Sequence, residues 1–283
     1  MPAPTSETAT TRHSAHLSKF GQLATLVRYA VMDRWHVAFV IGLLTVGMGA
    51  FSGALWPSLR STLQDLPGDL SANVGKALGG ADLTTGAGFV NAEAVSLVIP
   101  LAVIAAATLA VVRAVAVEEQ SKTLGVTLSA PVARGTFLLA KALATAAHVS
   151  VVAVLAAVGL ASGSLVGDLG LSWSGIVGVA LHAFFLGVAF GSLGLLVAAA
   201  SGTPRLTTAS VATATVVAFL LTAFLPLFDS VANLARVSPW YYFNGSDPLT
   251  NGADPAHLVV LASITLALTV AALASFARRD LRG

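Results

Sequence analysis

The chain has 283 residues, of which 56% are hydrophobic and only 10% are charged, and its formal net charge is +2. A soluble globular domain carries about 25% charged residues, so this composition is typical of an integral membrane protein. The small net charge gives no indication of nucleic-acid binding. The absence of cysteine excludes disulfides, thiolate metal sites and cysteine nucleophiles.

The N-terminal region divides into two parts. Residues 1–16 are rich in Thr, Ser, Ala and Pro, which predicts a disordered cytoplasmic tail. Residues 17–34 place apolar side chains at helical spacing between basic residues. The apolar positions are Leu23, Leu26, Val27, Ala30 and Val31, and the basic ones are Lys19, Arg28 and Arg34. This pattern predicts an amphipathic elbow helix in the membrane interface.

Residues 35–283 are predicted to form one transmembrane domain, because six apolar runs reach the roughly 20 residues that cross a bilayer. The runs are Trp35–Trp56, Val95–Val117, Phe137–Ala161, Trp173–Ala200, Leu206–Phe228 and His257–Ala277. The first run begins too late and is too long for a cleavable signal peptide. We therefore expect an all-α, polytopic membrane protein with six transmembrane helices.

The distribution of basic residues predicts the orientation. With both termini in the cytoplasm, twelve of the fifteen Lys and Arg residues lie inside, and only Arg60, Lys76 and Arg236 lie outside. Segments 57–94 and 229–256 are then outer loops, and segment 118–135 is a cytoplasmic loop. The expected location is the cytoplasmic membrane.

A search for catalytic motifs is largely negative. The sequence has no G-x-x-x-x-G-K-[S/T] nucleotide loop. Ser162, His148 and His182 lack the flanking residues of an intramembrane serine protease, and no H-E-x-x-H motif or carboxylate cluster indicates a metal. The two histidines are expected to be neutral and hydrogen-bonded inside the bundle.

The cytoplasmic loop concentrates charge between two apolar spans. Glu118 and Glu119 follow the second span, Leu124 and Leu128 are spaced for one face of a short helix, and Pro131 ends it. Such a loop is either a docking surface or an ordinary connector whose charges only set the topology. The residues alone favour neither interpretation.

The segment "EEQSKTLGVTLSAPVARGTFLLAKALA" resembles a region of type 2 ABC transporter permeases that reads roughly E-E-x-x-G-T-L-E-x-L-L-S-x-P-V-S-R-x-x-x-L-x-G-K. Ten positions match: Glu118, Glu119, Thr123, Leu124, Leu128, Ser129, Pro131, Val132, Arg134 and Lys141. Lys122 and Gly125 depart from the pattern. The stretches "GGADLTTGAGFVNAE", "SPWYYFNGSDPLTNG" and "FARRDL" also resemble this family, so the similarity extends from about residue 20 to the C-terminus.

The resemblance implies a permease subunit of an ABC exporter, paired with a second permease and with separate ATPase subunits that bind ATP and Mg. The chain itself is then not an enzyme and binds no cofactor directly. The loop after the second helix would contact the ATPase and transmit its closure, through Glu118, Glu119, Thr123, Leu124, Leu128, Pro131 and Arg134. The first, second and fifth helices would meet the second permease.

No span carries a charge near its middle, which favours an amphipathic or hydrophobic substrate. The fifth span offers Thr208, Thr215, Phe219 and Thr222 as candidates for lining the translocation path, although intramembrane threonines also bond to their own helix. The alternative functions are a non-transporting membrane scaffold or sensor and, more remotely, an intramembrane hydrolase.

Overall fold

The computed structural model describes residues 19–65, 82–117 and 133–278, and these ranges contain helices and connecting turns without a strand. We number the α-helices in chain order. They are α1 Lys19–Gln64, α2 Gly86–Val90, α3 Val98–Val111, α4 Arg134–Gly167, α5 Trp173–Ser201, α6 Pro204–Phe224, α7 Tyr241–Asn244, α8 Pro248–Asn251 and α9 Pro255–Arg278.

Six helical segments of the described chain are long and apolar enough to cross a membrane, which confirms the predicted all-α, six-span fold. They are Trp35–Leu63, Gly86–Val115, Arg134–Gly167, Trp173–Ser201, Pro204–Leu227 and Pro255–Arg278. We call the end of the bundle with Arg113, Arg134, Arg205 and Arg278 the basic end. The opposite end, with residues 82–95, 168–172 and 225–254, is the loop end.

Helix α1 is longer than the sequence predicts. It is a single helix of 46 residues, with no break at residue 34 between the predicted elbow helix and the first span. It also continues to Gln64 through Pro57, although residues from 57 onward are predicted to be loop. The segment around residue 34 has no glycine or proline that would interrupt the helix, so the change from amphipathic to apolar pattern does not end it.

The second span is composite. It consists of α2, a π-helix at Asn91–Val95, α3, and a second π-helix at Val112–Val117. The Oγ1 atom of Thr85 accepts a hydrogen bond from the Gly88 N–H and so caps α2. The span therefore begins at Gly86 rather than at Val95. Wide π-turns inside α-helices often accompany functional sites, so these two segments are of particular interest.

Helix α5 lies at the centre of the bundle and packs against α3, α4, α6, α8 and α9. In the most apolar stretch of α5, 67% of the residues are buried inside the protein. The corresponding buried share is 22% in the fifth span and 11% in α9. Ser172 caps the start of α5, with Oγ accepting from the Gly175 N–H at 3.0 Å. Gly202, at φ +60°, ends it in a left-handed conformation that favours glycine.

Helices α1 and α4 run in the same direction and approach at glycine. A β-carbon added to Gly159 would lie 2.6 Å from the Thr45 carbonyl oxygen, and one added to Gly163 would overlap the carbonyl oxygen of Gly49. Gly53 contacts both Gly163 and Gly167. Small residues four apart allow such close approach of helix backbones, which is a main source of helix association in lipid.

The segment between α6 and α9 folds back onto the bundle. It contains 3₁₀ turns at Leu225–Leu227 and Ala232–Val237, followed by α7 and α8. The side chains of Trp240 and Phe243 are almost completely buried. The Trp240 ring lies 5.4 Å from that of Phe219. This predicted outer loop is therefore largely a packed part of the fold.

Candidate functional site

Six of the seven residues predicted to contact an ATPase lie outside the described residues. They are Glu118, Glu119, Thr123, Leu124, Leu128 and Pro131. The seventh, Arg134, is exposed and is the first residue of α4, where the Ala133 carbonyl accepts from the Phe137 N–H. The two flanks of this loop, Val117 and Ala133, are both described. The coupling role of the seven predicted residues stays a prediction.

The four candidate path residues of the fifth span are spaced seven, four and three residues apart, so they lie along one face of α6 and differ in exposure. Thr208 is exposed, whereas Thr215 is buried and Phe219 and Thr222 are partly buried. Thr215 Oγ1 donates to the Val211 carbonyl at 2.8 Å, so it satisfies its own helix backbone as intramembrane threonines often do. The role of these four residues in a translocation path stays a prediction.

Thr222 belongs to a hydrogen-bond network centred on Ser238. The buried Ser238 Oγ donates to the Ala218 carbonyl at 2.8 Å and accepts from Thr222 Oγ1 at 3.0 Å and from the Trp240 N–H at 3.1 Å. The network ties the folded-back segment to α6. Nothing in the sequence pattern around Ser238 distinguishes it from the neighbouring loop serines.

His148 and His182 are buried and bond to their own helices, as predicted. His148 Nδ1 lies 2.7 Å from the Ala144 carbonyl oxygen, and His182 Nδ1 lies 2.9 Å from that of Gly178. Ser162 Oγ donates to the Gly159 carbonyl at 2.8 Å. Within the described chain, no hydrogen bond joins Ser162 to either histidine, so the nucleophile–base contact of a serine hydrolase is not formed.

Polar side chains from distant parts of the chain meet at the loop end. Asn244 Nδ2 donates to Ser96 Oγ at 3.3 Å, and Asn91 Nδ2 lies 3.5 Å from Asp247 Oδ1. These contacts join the composite second span to the segment that precedes α9.

An aromatic group at the same end surrounds His257. Its ring centroid lies 5.5 Å from that of Tyr241, 5.2 Å from that of Tyr242 and 6.4 Å from that of His182. Across the described ranges, no group of three His, Asp or Glu side chains could hold a metal ion. The sequence indicates Trp240–Tyr242 as an aromatic cluster, but it does not indicate that histidines from two spans join them.

Asp254 caps helix α9. Its Oδ1 accepts from the Ala256 N–H at 2.9 Å and from the His257 N–H at 3.3 Å. Removal from water raises the pKa of this carboxyl, but the two N–H donors favour its charged form more strongly, so its pKa lies below the usual value. A charged cap at a helix N-terminus also interacts favourably with the helix dipole.

Two adjoining cavities open at the basic end between α1, the second span and α4. The first has a volume of about 520 Å³ and is lined mainly by residues 26–33, 110–114 and 137–148. The second, of about 230 Å³, is lined by Val37, Ala38, Ala106, Leu109, Ala110, Arg113 and His148. Because the cavities share Ala110, Arg113 and His148, they lie side by side, and we treat them as the polar and the apolar part of one space.

A further cavity of about 570 Å³ lies between α4 and α5. Its lining is apolar except for Ser150 and includes Val154, Trp173 and Phe184. A smaller cavity of about 260 Å³ lies between α4, α5 and α9 and is lined by Leu143, Val188, Thr265 and others. These spaces can accept an apolar chain or ring, and they offer no charged partner.

Comparison with known protein families gives one match. The model of the family "Multidrug efflux system permease Rv1217c, C-terminal domain" matches residues 25–277. No curated protein matches the chain. The family match covers all six spans and the segments between them. The chain is therefore a multi-pass membrane permease that belongs to the Rv1217c-type multidrug efflux permease family.

Proposed function

We propose that the chain is the membrane-spanning permease subunit of an ATP-driven ABC exporter for amphipathic or hydrophobic compounds. The observation that carries this proposal is the efflux-permease family match over residues 25–277, on a chain with six helical spans. In this assignment the chain sits in the cytoplasmic membrane with both termini inside. The basic end is then cytoplasmic, in agreement with the excess of Lys and Arg at that end.

The proposal assigns ATP hydrolysis to a separate subunit that binds ATP and Mg. Contact with that subunit is assigned to segment 118–135, which resembles the ATPase-docking loop of type 2 ABC permeases. The second and third spans enter and leave this segment at the basic end. ATP binding drives transport only if it favours one of two packings of the bundle, so a docking loop that joins two spans is well placed to bias them.

A second permease is assigned to the apolar surface of α1 and α6. Large apolar side chains are exposed along both helices, including Phe39, Leu44, Val216, Leu220 and Phe224. In a bilayer such a surface faces either lipid or another subunit. The low burial of the fifth span within one chain leaves this surface of α6 available to a second subunit.

The cavities and the charges support an amphipathic or hydrophobic substrate. The middle of each span is free of Asp, Glu, Lys and Arg, and the cavity between α4 and α5 is almost entirely apolar. A charged residue inside a membrane usually marks an ion or counter-ion site. A site without one selects by hydrophobic contact, which suits several unrelated amphipathic compounds.

Reconstitution tests the proposal. The chain is purified with the ATPase that accompanies it, placed in liposomes, and supplied with ATP and an amphipathic fluorescent dye. We expect ATP-dependent movement of the dye, and none with a hydrolysis-deficient ATPase. If the complete assembly hydrolyses ATP but moves none of a panel of amphipathic dyes across the liposome membrane, the chain acts as a scaffold or sensor instead.

A further inference from the structure

We infer that the two adjoining cavities at the basic end bind an anionic phospholipid, with the phosphate at Arg113 and Lys141 and an acyl chain in the apolar part. This site is separate from the proposed transport path and ATPase contact. It rests on the shape of the space, on its charges and on one buried polar atom.

The shape matches an amphipathic ligand. The larger part is bordered by Asp33, Arg113, Lys141 and the exposed Tyr29. The smaller part continues along the span between α1 and α3, where its lining is aliphatic apart from Arg113 and His148. A phospholipid has the same order of parts, with a polar headgroup at the membrane surface and an acyl chain that extends into the apolar core.

The charges favour a phosphate. Arg113 is exposed, lines both parts of the space and lies in the π-helix Val112–Val117. The Lys141 Nζ atom lies 5.0 Å from the centroid of the Phe137 ring. Asp33 offsets one of the two positive charges, and Asp33 and Lys141 each also interact with a further group. Arg113 is therefore the principal ligand, since a guanidinium binds phosphate oxygens with two parallel hydrogen bonds.

His148 supplies the independent indication of a ligand. The residue is 5% exposed and lines both parts of the space, and its Nε2 atom has no hydrogen-bond partner within the described residues. A carbonyl oxygen only accepts, so the contact to Ala144 places the ring hydrogen on Nδ1. Nε2 of the neutral ring is then an acceptor. A buried polar atom without a partner is rare. His148 lies two turns deeper in α4 than Lys141, so a headgroup hydroxyl that turns inward from the phosphate would satisfy Nε2.

Lipid titration in detergent micelles tests the site without an ATPase. The probes are phosphatidylglycerol, phosphatidylcholine and inorganic phosphate, with binding followed by native mass spectrometry. We expect phosphatidylglycerol to bind more tightly than the other two. Arg113→Gln should weaken that binding by about tenfold to a hundredfold, as expected for a lost charge-assisted contact. Arg205→Gln, which removes another exposed arginine at the same end, should leave it unchanged.

Three results would overturn the assignment. Equal binding of phosphatidylcholine would exclude selection for an anionic lipid. Equal occupancy by inorganic phosphate would identify a free-anion site. Equal loss in the two arginine variants would show general electrostatic attraction to a basic surface. Because Arg113 is exposed, Arg113→Gln should keep the melting temperature of the lipid-free protein, which separates lost binding from lost folding.

A comparison of two anionic lipids tests the role of His148 separately. Phosphatidylmethanol carries the same phosphate as phosphatidylglycerol but no headgroup hydroxyl. The parent protein should prefer phosphatidylglycerol, and His148→Leu should bind both lipids equally while still preferring them to phosphatidylcholine. A parent protein that shows no preference between the two anionic lipids would exclude the hydroxyl contact to Nε2.

Discussion

Gly53 lies so close to Gly163 that a methyl group added to Gly53 would overlap the Gly163 carbonyl oxygen. Similar contacts recur along α1 and α4, from Gly42 against Leu155 to Gly53 against Gly167. The backbones of these two parallel helices therefore touch over several turns. Close approach of this kind allows dispersion contacts that side chains on either helix would prevent.

The first prediction concerns this contact. Gly49→Ala should lower the melting temperature in detergent, because the new methyl group would collide with the backbone of Gly159. Overpacking of this kind costs about 1–3 kcal/mol. Gly47→Ala is the matched control, since it lies two residues away on the same helix with nothing within 4 Å of the added carbon. Equal melting temperatures for the two variants would contradict the contact.

Sequence patterns predict the number of spans well because each needs only a long apolar run. They predict the ends of the helices less well. A change from an amphipathic to an apolar pattern at residue 34 shows that the environment changes, but it does not show that the helix bends. The second span was expected to begin at Val95, whereas the structure includes the polar residues Asn91 and Glu93 in a π-helix near its start.

The packing and the cavities depend on contacts between residues that lie far apart in the chain. The four-residue spacing of glycine is a usable signal for this contact, with Gly49 and Gly53 in α1 and Gly159, Gly163 and Gly167 in α4. The cavity at the basic end has no comparable signal. Its walls come from three segments that lie far apart in the chain, and only the packing of α1 against α4 brings them together.

The second prediction concerns Ser238. Ser238→Ala should destabilise the protein by about 1–2 kcal/mol, because the Trp240 N–H loses a buried acceptor and the Ala218 carbonyl loses a donor. Thermal unfolding followed by tryptophan fluorescence reports this directly, since Trp240 is part of the affected segment. Ser230→Ala, at an exposed position of the same segment, is the control and should unfold like the parent.

The third prediction concerns the cap of α9. Asp254→Ala should cost about 1 kcal/mol of stability at neutral pH, as loss of an N-cap usually does. Because the folded-state pKa of Asp254 is depressed, its stabilising effect is present above the unfolded pKa of about 3.9 and is lost as the pH falls through the lower folded value. The difference between parent and variant should therefore shrink in acid. A constant difference from pH 7 to pH 2 would exclude the charged cap.

The fourth prediction concerns the loop proposed to contact the ATPase. Glu119→Gln and Leu124→Ala should insert and express normally but weaken ATPase binding or uncouple hydrolysis from transport. A partly buried charge pair that loses one partner can cost several kcal/mol, whereas an exposed pair contributes about 0–1 kcal/mol. Asp65→Asn, an exposed carboxylate at the loop end, is the control. If both loop variants transport like the parent, the segment is only a connector.

The fifth prediction concerns orientation. Single cysteines in this cysteine-free chain can be labelled without background. Gly135→Cys should be protected from an impermeant reagent in intact cells and react after lysis, whereas Ser230→Cys should react in intact cells. Both positions are exposed, so access to the side chain does not limit the reaction. Labelling in the reverse order would invert the proposed topology.

The unbroken length of α1 has a mechanical consequence. Its 46 residues, at 1.5 Å each, give a rod of about 69 Å, roughly twice the thickness of the hydrocarbon core. The contact with α4 described above begins at Gly42, which lies 23 residues from Lys19, so about 35 Å of α1 extends beyond it toward the basic end. A change of about 10° in the angle between α1 and α4 would carry the Lys19 end through about 6 Å. A small change in how the two helices pack would therefore become a large displacement at the basic end.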